Sequence, residues 1–418
     1  MGKGMKIVRN KGIYRSSRRP LRIVLGLVAV GVLFAAGWFL YQPAYNWVMG
    51  LDLLKHKAPA AESQVQQQSA AAAPAEESGG AEAQRSALAA VWVPAATVSN
   101  ESVWNSYLSK LPQGTVNTVI LELKDQKGTV LYKSGVETVA AANAQAADAY
   151  DLKTVVDQLH QAGYTVLGRL YAFQDSTAGT TLKDGLVHYK NTDYAWIDNS
   201  LDKGGKTWLN PYSQQAQSYI SELMEEALDM GVDGFVLDGV QFPSGVGLDL
   251  ADYGATGDQT RPQVLSRFLQ SAADLVKARG GVGCWAYFDA SEFLSPDTNT
   301  DYGPYGGSIG TVAADAALMV NVAPASFGTG TEAGVSLKAP ITQPGPTVTA
   351  VLEALHLGGD RSRLMPVLQA YTDGSIAAEF NLDYGWDQVS QQIEAAKAYG
   401  ARDMAFYDPA GAYTALHK

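Results

Sequence analysis

Cysteine is almost absent from this chain of 418 residues: Cys284 stands alone. That excludes an intramolecular disulfide, so a large core must supply stability unaided. Its place in an apolar strand-like run also argues against a cysteine nucleophile. Histidine is scarce too. His56, His160, His188, His356 and His417 are scattered, and none forms a His-x-x-His or His-Glu-x-x-His pair. Zinc peptidase and metal-dependent deacetylase chemistry are therefore disfavoured. No phosphate-binding Gly-x-x-x-x-Gly-Lys loop occurs either, and no metal or cofactor is expected.

Positive charge is rare outside one region. Residues 1–22 hold eight basic side chains and no acidic one. The remainder carries 23 basic against 42 acidic side chains, a balance of −19. Such a body repels polyanions, so nucleic acid is not an expected partner. After the basic stretch, residues 23–41 run without a charge. As a helix they would rise roughly 28 Å, about a bilayer's hydrocarbon thickness. The expectation is a basic cytoplasmic tail over 1–22 and a retained signal-anchor over 23–41. A single-pass cell-membrane protein with an extracellular C-terminal domain would follow. Residues 42–88 include a stretch rich in Ala, Gln, Ser, Glu, Gly and Pro and read as a flexible linker.

From residue 89 to 418, short apolar runs alternate with helix-length amphipathic segments. Strands are expected at Ala90–Pro94, Thr118–Lys124, Thr165–Phe173, Gly234–Gln241, Val282–Phe288, Ala317–Val322, Leu364–Tyr371 and Asp403–Tyr407. Helices are expected over Asp151–Ala162, Gln214–Met230, Arg261–Ala278, Thr347–Leu357 and Trp386–Tyr399. Asp151 suits a cap, and Gly163, Gly231 and Gly400 suit helix ends. Eight strands with crossover helices point to an α/β fold, a (β/α)8 TIM barrel. Two long connections, Gln174 to Tyr212 and Asp289 to Ile309, would lie on its C-terminal rim, where barrel active sites sit.

The segment from Gly231 to Pro243 carries the sharpest signal. Strand alternation turns Val236, Asp238 and Val240 one way and Phe235 and Leu237 the other. An acid on the inner face of a barrel strand is costly to bury unless it is paired or used. This segment resembles the putative glycosyl hydrolase domain family of bacterial envelope proteins. More distantly, it resembles the strand-four region of the alpha-amylase superfamily, where an aspartate is the nucleophile. The first resemblance extends over nearly all of Val91–Tyr413. It includes Val119 to Asp125 with Gly128 and Leu131-Tyr132, then Trp208 to Pro211, and Ala405 to Pro409. The resemblance implies a barrel acting on polysaccharide, with Asp238 as one of two carboxyls. The chain departs from the family pattern at Gly239 and Gln241, where an aromatic residue and an arginine are usual. It departs again at Trp285, where strand five usually carries an acid.

Glycosidase chemistry needs a second carboxyl across the scissile bond. Asp289 is the leading candidate for proton donor, with Glu122 behind it, although Glu122 shares a strand face with Lys124 and could simply pair with it. Asp125, Asp175, Glu292, Asp373 and Asp408 are further rim acids. Sugar-stacking surfaces are expected from Trp92, Tyr171, Phe173, Trp208, Trp285, Tyr287, Tyr371 and Tyr407, with Lys124, Arg169, Gln241, Asn321 and Gln369 as polar contacts. Three functions fit these residues: a membrane-anchored polysaccharide hydrolase, a catalytically inactive glycan-binding or scaffolding barrel, and a partner of other membrane proteins.

Overall fold

The computed structural model describes residues 85–417, apart from 295–302, 313–315, 329, 333–334, 338, 358–359 and 378–380. Eight parallel strands form a closed barrel: β1 (Ala89–Val93), β2 (Thr118–Lys124), β3 (Thr165–Tyr171), β4 (Gly234–Asp238), β5 (Gly283–Asp289), β6 (Ala317–Asn321), β7 (Leu364–Gln369) and β8 (Met404–Tyr407). Each pairs with its sequence neighbours, and β8 returns to β1 through Ala89–Met404 and Val91–Phe406. All eight expected strands are present, with ends differing by a few residues. Closure removes every sheet edge from the barrel itself. Outside it, Val130–Tyr132 runs antiparallel to the end of β2, with Gln145–Tyr150 beside it.

Strand alternation produces two apolar sets. Ala90, Trp92, Ile120, Leu167, Val236, Trp285, Met319, Met365, Val367 and Ala405 fill the barrel interior. The opposite faces meet the helix layer and belong to the main core. The layer contains α1 (Glu101–Leu108), α2 (Leu152–Gln161), α3 (Gln214–Asp229), α4 (Arg261–Ala278), α5 (Pro344–Ala354) and α6 (Trp386–Tyr399). Asp151 caps α2 by accepting from the Thr154 amide at 3.0 Å. Gly231 and Gly400, with φ of 100° and 112°, take the left-handed conformation that ends α3 and α6.

The membrane-anchored architecture is corrected here. No helix among the described residues is long and apolar enough to cross a membrane. Even α4, with 18 residues, carries Arg261, Arg267, Asp274 and Lys277 and buries a single apolar face against the barrel. Residues 23–41, on which the expected span falls, lie outside the described residues. The single-pass topology, the membrane as partner and the extracellular placement are accordingly not carried into the function considered below. The expected tail over 1–22 and most of the expected linker also lie outside the described residues. The linker's last residues are seated: Arg85 forms an ion pair with Asp403, and Leu88 is buried beneath the barrel interior.

Candidate functional site

The C-terminal ends of β1, β2, β3, β5, β6, β7 and β8 surround a cleft of about 350 Å³. Trp92, Glu122, Arg169, Tyr287, Asp289, Asn321, Tyr407 and Asp408 contribute to its lining, with Pro94, Val367 and Pro409. The register explains the convergence. Glu122 pairs with Arg169 across β2 and β3, and Tyr171 with Asp238 across β3 and β4. Asp289 pairs with Asn321 across β5 and β6. All are inner-face positions near the C-terminal ends of their strands.

Arg169 is the hub. Its guanidinium donates to Asp238 Oδ2 at 2.5 Å and to the Tyr171 hydroxyl at 2.9 Å, and lies 3.5 Å from Glu122 Oε1. The same group sits over the Tyr171 and Tyr287 rings, 4.8 and 5.5 Å from their centroids. Asp238, only 8 % exposed, also accepts from the Gly239 amide at 2.6 Å. Burial pushes its carboxyl above the ordinary aspartate range, while the Arg169 charge and the Gly239 amide act in the opposite direction. Gly239 has a φ of 59°, and a Cβ there would lie 3.2 Å from the Tyr171 ring. The usual aromatic side chain at 239 is thus disfavoured by both backbone and neighbour.

At the end of β5, Asp289 Oδ1 accepts from Asn321 Nδ2 at 2.6 Å and from the Tyr287 hydroxyl at 3.3 Å. Glu122 Oε2 accepts from the Ala95 amide at 3.1 Å. Beside these polar groups, Trp92 meets Tyr287 and Tyr407 edge to face, with centroids 6.2 and 5.9 Å apart, and Tyr371 meets Tyr407 similarly. Burial raises the Tyr371 phenol to about 12.

Other expected site residues lie elsewhere. Trp285 is 2 % exposed inside the barrel, beneath the Arg85 guanidinium at 5.7 Å. Trp208 packs with Val187, Trp196 and Ala251 in a satellite core under the long loop after β3 and donates to Asp198 at 3.0 Å. Phe173 packs against Phe268 of α4. Gln369 is fully buried, accepting from the Ala325 amide and donating to the Tyr371 carbonyl. Gln241 accepts from the Tyr305 hydroxyl at 3.1 Å.

Lys124 does not pair with Glu122. A bulge at Leu123 matches Glu122 to Arg169 but Lys124 to Leu170, turning the lysine to the outer face. There it bonds the Tyr171 carbonyl at 2.7 Å and Asp175 at 2.8 Å, with both side chains fully buried. Asp125 and Asp373 hold their own loops through backbone amides. The run from Gly306 to Gly310 has the Gly-x-Ser-x-Gly spacing of a nucleophile elbow, but Ser308 pairs with Thr311 at 3.0 Å and no strand among the described residues leads into it. Cys284 is buried, its thiol pushed up to about 12. The described residues contain no cluster of three metal-ligating side chains.

Residues 90–413 match the family described as putative glycosyl hydrolase domain. The chain belongs to this family. Among solved structures, the putative glycosyl hydrolase domain is similar to the PgaB (BpsB) glycoside hydrolase domain from Bordetella bronchiseptica. That likeness has 15 % identity and a TM-score of 0.53, covering 80 % of this chain and 96 % of the other. At such identity it shows the fold alone. A hypothetical protein from Ruminiclostridium thermocellum is 24 % identical over 47 % of this chain and 96 % of its own, with a TM-score of 0.41. The Bacillus cereus spore cortex-lytic enzyme SleL is 10 % identical over 79 % and 74 %, at 0.45. No curated protein matches the chain.

The residues least legible in the sequence were Tyr305, from an irregular stretch, and the pairing of Arg169 with Asp238. Inner-face parity on β3 and β4 was the available signal for that pairing, but it required the cross-strand register as well.

Proposed function

We propose that the barrel binds a polysaccharide in this cleft and hydrolyses a glycosidic bond, with Asp238 as nucleophile. The observation that carries this reading is the placement of a buried, Arg169-bound carboxyl at the end of β4 beside the carboxyls that follow β5. Continuing the β4–β5 register, in which Val236 pairs with Trp285 and Leu237 with Ala286, puts Asp238 opposite Tyr287. Asp289 then stands two residues farther along the adjacent strand, on the order of 8 Å away between Cα atoms from ordinary strand spacing. Both side chains point to the inner face from neighbouring strands, so their carboxyls can turn toward one bound substrate. The second carboxyl comes from the end of β5, where Asp289 and Glu292 lie. The aromatic edges of Trp92, Tyr287 and Tyr407 would meet the apolar faces of sugar rings, with Asn321 and Asp408 among the groups able to bond hydroxyls. Membership of the putative glycosyl hydrolase domain family supports this reading.

A second reading is glycan binding without cleavage. Gly239, Gln241 and Trp285 stand where the family usually places other groups, which favours it. To separate the two, the full chain is incubated with a panel of polysaccharides while new reducing ends are counted. Hydrolysis predicts release from at least one substrate. Binding to one with release from none would favour the silent barrel.

A further inference from the structure

We propose that Glu292, rather than Asp289, is the proton donor of this cleavage, with Tyr305 and Gln241 as its positioning residues. The assignment rests on the hydrolase reading above. Glu292 lies in the first turn of the short helix Ala290–Leu294 that follows β5. The Tyr305 hydroxyl lies 2.8 Å from Glu292 Oε2 and 3.1 Å from Gln241 Oε1. Tyr305 is itself fixed, 3 % exposed, with its ring against Phe288 and Phe293 at centroid distances of 5.4 and 4.6 Å. Phe242 ties the end of β4 to the same segment by donating its amide to the Pro304 carbonyl at 2.7 Å.

Proton counting gives this contact its meaning. A phenol has one proton to donate, yet two acceptor oxygens face Tyr305. When Glu292 is ionised, Tyr305 donates to it, and a turned Gln241 amide donates to the phenol oxygen. When Glu292 is protonated, it donates to Tyr305, which then donates to the Gln241 carbonyl. The amide serves either state by turning about its last bond, so Glu292 gains and loses a proton without stranding its partner. An arginine at 241 could only donate and would favour ionised Glu292. Among the described residues, Tyr305, Asp289 and Asp238 act on the Glu292 carboxyl. Glu292 is exposed as a residue, yet partial desolvation of its carboxyl raises it above the ordinary range; the Tyr305 hydroxyl opposes the rise and the two aspartates add to it. Asp289, by contrast, accepts from Asn321 and Tyr287 on one oxygen, an arrangement suited to bonding a sugar hydroxyl.

In the step proposed, the bond from the anomeric carbon to the leaving oxygen breaks. Its electron pair stays on that oxygen, which takes the Glu292 proton, while the carbon bonds to Asp238. Ionised Glu292 then accepts a proton from the water that displaces Asp238.

The test uses Glu292→Gln in the full chain. It compares a polysaccharide that the wild type cleaves with the 2,4-dinitrophenyl glycoside of the same sugar, whose leaving group needs no proton. Glu292→Gln is expected to lose about 10²–10⁴-fold on the polysaccharide, yet still release a dinitrophenolate burst, with azide restoring turnover. Gln241→Arg is expected to move the basic limb of the wild-type pH–rate profile to lower pH. Equal losses on both substrates, or this pattern in Asp289→Asn instead, would overturn the assignment. A wild type that cleaves nothing removes the hydrolase reading and the donor with it. A wild type that cleaves while Glu292→Gln stays fully active removes the donor alone.

Discussion

Arg169 and Asp238 occupy adjacent strands, and a guanidinium nitrogen of the first lies 2.5 Å from a carboxylate oxygen of the second. Neither is on a loop. The barrel register fixes both backbones, and Tyr171, Tyr287 and Glu122 crowd the arginine from three directions. Such a group is positioned before substrate arrives, as electrostatic catalysis requires.

A pH dependence follows from this pair. Burial holds the Asp238 carboxyl above its ordinary range, with Arg169 pulling the other way. A nucleophile must be ionised, so kcat/KM should fall as pH drops through that raised value. Arg169→Met removes the opposing charge, and the acid limb should then move to higher pH. A pH–rate profile of the two proteins checks this; an unmoved limb would mean that Asp238 does not govern it.

The cleft aromatics should matter to ligand and little to folding. Tyr407 is 40 % exposed where it meets Trp92 and Tyr371. Tyr407→Ala is expected to weaken glycan binding by about tenfold, or 1.4 kcal/mol, with the melting temperature nearly kept. Trp285→Ala should do the reverse, since the ring fills the barrel interior. A cost of about 3–5 kcal/mol in unfolding free energy is expected there. Calorimetric titration paired with urea unfolding separates the two outcomes.

These contrasts show what the sequence could convey. Alternating burial made all eight strands legible, and Asp151, Gly231 and Gly400 marked the helix ends because caps and left-handed turns have their own residue chemistry. Aromatics near strand ends were ambiguous. A ring packed in the interior, like Trp285, and one edging a cleft, like Tyr407, leave the same mark on a single sequence. The bulge at Leu123 was not legible either, because strict alternation assumes regular pairing. It placed Lys124 beside Glu122 until the pairing itself was known.

That bulge has a consequence for stability. It delivers Lys124 to Asp175 in a fully buried ion pair that joins the end of β2 to the loop after β3. Lys124→Met leaves Asp175 buried without its cation and should cost about 3–5 kcal/mol. Gly128→Ala should also destabilise, because its Cβ would fall 2.0 Å from Asp175 Oδ1 and its φ is 94°. Urea midpoints for both variants, compared with Lys153→Met at the exposed Lys153–Asp157 pair, test this. The surface variant should change stability by under about 1 kcal/mol.

The most direct test of the central claim joins cleavage and binding in one pair of proteins. Wild type and Asp238→Asn are given the same polysaccharide, and both reducing-end release and affinity are measured. The account predicts that release falls by at least about 10³-fold in Asp238→Asn while the glycan still binds and the fold persists. Undiminished release from Asp238→Asn would contradict it.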